Sequence, residues 1–307
     1  MKSRFIQAFI AKVKGRKLAL THEEDADGIV SGALYLRVYP DAVLILARPQ
    51  EINRAAFNWF RFFMWDYVAD LPCPGKARVR ADHHKTNTPC AEIEYYDPEA
   101  PSAATLALKA LKLENDPEMV RLVELTKQTD TANIVDDDAW DLNDAVKGAN
   151  YEGRLWLAYE LAKRGLEALR DERVKSWIRK NRRRRELTEK IAAMIDVKKV
   201  TLVEFEKNLD ISYRGLCTIL EKRGAKFVAV IVPKEGAYRP YFGASRESSY
   251  DAAVVASRLG GGGHKVAAGA RVKAKEEIYK ALKSYLGLEK LEFTVVSAKL
   301  DTFKKSV

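Results

Sequence analysis

Through the first half of this chain, short apolar runs alternate with helical periods, and the runs lead into acidic or histidine residues. That order predicts a parallel sheet covered by helices, because parallel neighbours need a crossover between them and the crossover is usually a helix. Leu18-Ala19-Leu20 predicts the first strand; His22, Glu23, Glu24, Asp25 and Asp27 follow, and Gly28 opens an apolar helical stretch through Leu36. Residues 42–47 predict the second strand, and Phe62-Phe63-Met64-Trp65 a third that ends at Asp66. Residues 77–81 predict a weaker fourth strand that delivers Asp82, with Arg78 and Arg80 either exposed at a sheet edge or paired with acids. Open parallel sheets bind ligands in the crevice outside the carboxyl ends of their strands, so four strand ends on one rim mark a site.

Ser102 is expected to cap an alanine-rich helix reaching Leu111, and Asp116-Pro117 to start a helix that runs out at Asp130. A helical stretch over 155–168 leads into the most basic segment, residues 170–199, with 12 Lys or Arg against 5 Asp or Glu. Val174, Trp177, Ile178, Leu187, Ile191, Met194 and Ile195 keep a helical stripe there. The run Arg182-Arg183-Arg184-Arg185 reads as either a solvated face or a nucleic-acid contact. From Val200 the alternation restarts, with strands over 200–205, 227–232, 241–244 and within 267–272, and helices over 213–222, 251–258 and 275–286. The expected class is therefore α/β. It comprises an N-terminal parallel-sheet domain with helices on both faces (1–165), a basic linker helix (166–196), a smaller C-terminal α/β domain (197–288) and an extension (289–307), which has a strand-like run at 293–296.

A chain of 307 residues that is 47% hydrophobic can bury two cores, and a net charge of +10 favours an anionic partner. Cys73, Cys90 and Cys217 are scattered without CxxC spacing, so neither a disulfide framework nor a thiolate zinc site is expected, and a reducing cytoplasm fits. No bilayer span and no cleavable leader is expected, the N-terminal segment through Arg16 having only short apolar stretches.

Histidine is scarce: His22, His83, His84 and His264 are the four. Two of them stand beside a carboxylate in Asp82-His83-His84, and imidazole mixed with carboxylate suits manganese better than a structural zinc cage. His22, Asp25, Asp27, Asp66, His83 and Asp130 are candidate ligands for two ions, an arrangement suited to phosphate ester hydrolysis. Glu23 stays open as an alternative to His22, and Asp70 to Asp66. Gly260-Gly261-Gly262-Gly263 lets backbone N–H groups approach an anion, with His264, Lys265 and Arg246 as further donors. Tyr238, Tyr241 and Phe242 read either as base-stacking or as strand-packing aromatics.

Asp25-Ala26-Asp27-Gly28-Ile29-Val30-Ser31, Asp82-His83-His84-Lys85, Thr129-Asp130-Thr131 and the segment from Gly260 to Gly269 resemble, in order, the motifs of the DHH phosphoesterase family with its DHH-associated C-terminal domain. The resemblance covers the chain to about residue 288 and implies two Mn²⁺ ions, with Mg²⁺ as the substitute. His22 and Asp25 would hold one ion, Asp27, His83 and Asp130 the other, and Asp66 would bridge. Asp82 would orient His83, His84 would meet the scissile phosphate, and Arg246, Gly262, Gly263 and His264 would bind substrate. The implied activity is a manganese-dependent exonuclease on single-stranded DNA or RNA, including short oligonucleotides, giving mononucleotides. The alternatives are a phosphodiesterase or phosphatase acting on cyclic dinucleotides or phosphoadenosine phosphate, and a non-enzymatic nucleotide sensor or accessory subunit. Expected partners are single-stranded nucleic acid, a replication or repair protein and a second copy of the chain, with no membrane.

Overall fold

The computed structural model describes residues 3–53, 58–131 and 133–307; Met1, Lys2, residues 54–57 and Ala132 lie outside the described residues. It divides into two compact units, Met1–Arg182 and Arg183–Val307, so the boundary falls inside the arginine run. The first unit contains α1 (Arg4–Val13), β1 (Leu18–His22), α2 (Ala26–Val38), β2 (Val43–Ala47), α3 (Pro49–Ile52), β3 (Met64–Ala69), β4 (Lys76–Asp82) and β5 (Ala91–Tyr96). It continues with α4 (Ala103–Ala110), α5 (Pro117–Asp130), α6 (Asp137–Gly148) and α7 (Tyr151–Arg164), and α8 (Glu172–Met194) carries the boundary.

The five strands lie in the order β2-β1-β3-β4-β5, all parallel. Alternation along β1 divides the core. Leu18 and Leu20 join Trp65, Val68 and the α1 residues Ala8 and Ala11 on one face, while Ala19, Tyr67 and Ala69 pack against α2, α4 and α5 on the other. Helices thus cover both faces, as the alternating pattern predicts. Strand order reverses between β1 and β3, the topological switch point at which sheets of this order open a crevice.

Three differences from the expected elements have physical causes. The third strand starts at Met64 rather than Phe62, because Trp59–Phe62 forms a 3₁₀ turn that buries Phe60, whose carbonyl accepts from Trp65 Nε1 at 2.9 Å. Asp66 therefore lies near the strand's start, and Asp70 follows its end. β4 is interior, since β5 pairs beyond it; Arg80 has no exposed surface and meets Asp82 and Glu94, so its pairing with acids holds and the edge does not. Cys73 and Cys90 are joined in a disulfide, which corrects the expectation of unpaired cysteines: both flank β4 and the fold brings them together without any sequence motif.

The second unit contains β6 (Val200–Phe205), α9 (Tyr213–Lys222), β7 (Phe227–Lys234), β8 (Ala237–Ala244), α10 (Ala252–Arg258), β9 (Gly262–His264), β10 (Ala267–Gly269), α11 (Lys275–Leu286), β11 (Glu292–Val296) and β12 (Thr302–Ser306). Its mixed sheet has the order β12-β11-β6-β7-β8-β10-β9. The residues expected as an extension build into this sheet, β11 parallel to β6 and β12 antiparallel to β11. β7 shows why the unit holds: Phe227, Ala229 and Ile231 face α10 and α11, and Val228, Val230 and Val232 face α9. No helix among the described residues is long and apolar enough to cross a membrane.

Candidate metal centre

The carboxyl ends of β1, β3 and β4 converge with the last residue of α5. His22 ends β1, Asp25 caps α2 by accepting from Gly28 N at 3.1 Å, and Asp27 lies in the first turn of that helix. Gly28 is required by packing, because a Cβ there would stand 2.2 Å from the His22 carbonyl oxygen. Asp70 follows β3 with a φ of 56°, a left-handed conformation that costs a non-glycine residue energy and is better tolerated by Asp than by most. Its N–H donates to the Ala81 carbonyl at 3.0 Å, which ties it to β4. Asp82 ends β4, His83 and His84 follow, and Asp130 ends α5.

Three overlapping groups of donor atoms result: His22, Asp25 and Asp70; Asp27, His83 and Asp130; and Asp70, His83 and His84. His22 Nδ1 lies 2.9 Å from Asp25 Oδ2 and 3.1 Å from Asp70 Oδ2. His83 Nε2 lies 3.6 Å from Asp27 Oδ2, 3.5 Å from Asp130 Oδ2 and 3.9 Å from Asp70 Oδ1. Within the trio His22, Asp25 and Asp70, as within Asp27, His83 and Asp130, one donor atom from each residue lies within 4.8 Å of the others. Asp70 touches both trios.

The supporting contacts fix these side chains. His83 Nδ1 meets the Ala100 carbonyl at 3.1 Å; a carbonyl only accepts, so Nδ1 donates there and Nε2 is the ring nitrogen turned toward the carboxylates. The Asp27 oxygens accept from Ala103 N and Ala104 N, each at 2.7 Å, at the start of α4, where the helix dipole favours negative charge. Asp82 Oδ1 meets His84 Nδ1 at 3.0 Å, and its other oxygen accepts from Arg80 at 3.2 Å and Asn87 at 2.9 Å.

Burial first, then the neighbouring carboxylates, push Asp27 and Asp70 well above the usual carboxyl range. Burial likewise raises Asp130, against the opposing effect of His83. Burial opposes ionisation of Asp25 too, but the hydrogen bond and charge of His22 outweigh it and hold that carboxyl well below its usual range. His22 is raised by Asp25 in spite of burial, and His84 by its hydrogen bond to Asp82. Buried carboxylates facing one another with imidazole between them form a donor set that fits divalent cations, whose charge would offset this repulsion.

Several expected residues stand elsewhere. Asp66 is not brought to the cluster: its Oδ2 accepts from Lys12 at 2.8 Å and Leu18 N at 2.9 Å, because the strand carries it at the amino-terminal end of the sheet. Asp70 stands where Asp66 was expected. Glu23 turns away to Arg48 and Arg154, leaving His22 in the cluster. Asp82 orients His84 rather than His83. Sequence reasoning missed Asn87 and Ala100 as supports, and offered pairing with acids for Arg80 without tying it to the site.

The remaining expected residues lie in the second unit. Gly262, Gly263 and His264 form the edge strand β9, paired with β10, and His264 is exposed. Gly263 has a φ of 144° and a Cβ there would stand 2.4 Å from the Ala267 carbonyl oxygen, so the hairpin admits only glycine. Arg246 is exposed in a turn closed by Ser248 N donating to the Ser245 carbonyl at 3.0 Å. Phe242 is core, and Tyr241 stacks on Tyr213 with centroids 5.4 Å apart, so these two aromatics pack.

A DHHA1 domain matches residues 196–288. None of the curated proteins compared matches the chain. Among solved structures, the pGpG-specific phosphodiesterase PggH from Vibrio cholerae is similar with a TM-score of 0.67 at 18% identity, over 89% of this chain and 98% of that one. Exonuclease RecJ bound to manganese aligns at 0.54 and 15% identity, over 92% and 93%. An exopolyphosphatase-related protein from Bacteroides fragilis aligns at 0.53 and 14% identity, over 94% and 97%. The chain therefore carries a DHHA1 domain and has the fold of the DHH proteins, as its motifs lead one to expect.

Proposed function

We propose that this chain is a manganese-dependent phosphodiesterase that hydrolyses single-stranded oligonucleotides from an end, short ones included. The observation that carries this reading is the pair of donor trios joined at Asp70. His22, Asp25 and Asp70 would hold one ion, and Asp27, His83 and Asp130 the other, with Asp70 between them. When bound, two such ions polarise the attacking water and offset charge on the leaving oxygen of an in-line displacement at phosphorus. His84 is half exposed, and with Nδ1 engaged by Asp82 it has Nε2 free to donate to a phosphate oxygen. Its raised pKa favours the protonated, donating form. Within the second unit, Arg246 and His264, with the backbone of Gly262 and Gly263, would bind an anionic group.

Short substrates are favoured over long strands by the arginine run. Arg182 pairs with Asp141 and Arg184 with Asp210, each at 2.6 Å, and Arg185 lies 3.8 Å from Glu189, so three of the run's four charges are offset locally. Two structural relatives, a pGpG-specific phosphodiesterase and an exonuclease, are consistent with a phosphodiester of either length.

Oligonucleotides of graded length labelled at either end, assayed with Mn²⁺ beside cyclic dinucleotides and phosphoadenosine phosphate, test the substrate. Stepwise loss of nucleotides from one end is expected; preference for the small molecules at equal concentration would overturn the reading.

Asp70→Asn should remove several kcal/mol of charge stabilisation and slow hydrolysis on the order of 10³-fold, while Asp66→Asn stays within a few-fold of the parent once folded protein is matched. Similar losses in both variants would contradict the assignment of Asp70.

Stability should depend on pH and metal together. Asp27 and Asp70 hold protons in the folded chain that the unfolded chain releases above about pH 4, so metal-free stability falls as pH rises from there. His22 and His84, also raised, stabilise fully below about pH 6.5 and lose that contribution as pH passes their folded values. Asp25, depressed, acts in the opposite sense, but only below about pH 4. The metal-free Tm should therefore drop between about pH 5.5 and pH 8, and the gain on adding Mn²⁺ should grow over that window. A gain independent of pH, measured by calorimetry, would count against metal binding at these carboxylates.

A further inference from the structure

The loop carrying the two adjacent histidines is closed by a covalent bond. Cys73 lies three residues after Asp70 and Cys90 six after His84, so their disulfide joins the segment that leaves β3 to the segment that leaves β4. Both cysteines are half-buried, whereas Cys217 is buried and free.

The bond sits on a continuous set of contacts that reaches the cluster. Cys90 N and Ala91 N donate to Glu94 Oε1 at 2.5 and 2.8 Å. Glu94 accepts from Arg80 Nε at 3.0 Å, and Arg80 Nη1 donates both to the Leu71 carbonyl at 3.3 Å and to Asp82 at 3.2 Å. Asp82 in turn holds His84, and Asn87, inside the loop, donates its backbone N–H to the His84 carbonyl at 3.0 Å and its side chain to Asp82. Between His84 and Cys90 no helix or strand is present, so this loop depends on these few contacts and on the disulfide.

We propose that the Cys73–Cys90 disulfide is a redox-sensitive latch: oxidised, it holds His83 in ligating position and His84 beside it, and reduced, it releases their loop and slows hydrolysis. This regulation rests on the proposed function of the same cluster. A dithiol is the reductant the step requires. Its two electrons and two protons pass to the Sγ–Sγ bond, leaving two cysteine thiols and an oxidised dithiol. Opening the bond also removes a constraint on the chain between residues separated by 17 positions.

The test compares oxidised and dithiol-reduced protein with a Cys73→Ser/Cys90→Ser double variant. Alkylation of denatured, unreduced protein should label one thiol per chain, Cys217; three would overturn the proposal. Hydrogen exchange over residues 83–91 should quicken on reduction while α2 is unchanged. Hydrolysis, at a temperature where both forms are fully folded by circular dichroism, should fall roughly 10- to 100-fold, the loss usual when supports of metal ligands are removed. The double variant should show the reduced rate with or without dithiol; should it fail to fold, the wild-type comparison decides. Unchanged exchange overturns the latch, and so does faster exchange with unchanged hydrolysis, which would make the bond a structural staple. If the oxidised protein cleaves no phosphodiester, the proposed function fails, and the latch is then judged on exchange.

Discussion

The mutual repulsion of Asp27, Asp70 and Asp130 is the constraint around which the N-terminal unit is arranged. Asp27 and Asp70 are buried and Asp130 is exposed, and carboxylates gathered this closely resist ionisation, so a fold retains them only where protons or cations offset the charge. The parallel sheet makes the convergence unavoidable. β1 and β3 are neighbours at the reversal of strand order, so His22 and Asp70 leave adjacent strand ends, and β4 beside them adds the histidine loop. α5 contributes Asp130 from outside the sheet. The backbone at Gly28 brings α2 close enough that Asp25 and Asp27 reach the same point.

The surrounding polar groups separate the roles of the two adjacent histidines. His83 is turned by a backbone carbonyl, which engages Nδ1 and leaves Nε2 to the carboxylates. His84 is turned by Asp82, itself held by buried Arg80. Removing one partner of a buried ion pair leaves the other charge uncompensated, so Arg80 is as much a condition of the His84 orientation as Asp82 is. Neighbours in sequence thus acquire different chemistry from their second ring contacts.

Much of this was legible in the residues. The parallel sheet, the caps at Ser102 and Asp116, the helix ending at Asp130 and the second α/β domain all follow from apolar period and capping chemistry, which are local. Asp70 was legible only as an alternative to Asp66, because the most apolar run, Phe62 to Trp65, suggests a strand where tertiary packing of Phe60 and Trp65 forms a turn instead. β5 was missed although Ala91, Ile93 and Tyr95 alternate with Glu92 and Glu94, because the run is short and its place beside β4 is set by tertiary pairing. The disulfide was equally hidden: seventeen positions apart, the two cysteines meet only because β4 runs between them.

The central claim is that Asp70 joins two divalent sites. Anomalous diffraction from crystals grown with Mn²⁺ tests it most directly. The account predicts two peaks about 3.5 to 4 Å apart. One should be bounded by His22 and Asp25, the other by Asp27, His83 and Asp130, with the Asp70 carboxylate reaching both. A single peak, or a pair bridged by any other residue, would contradict it.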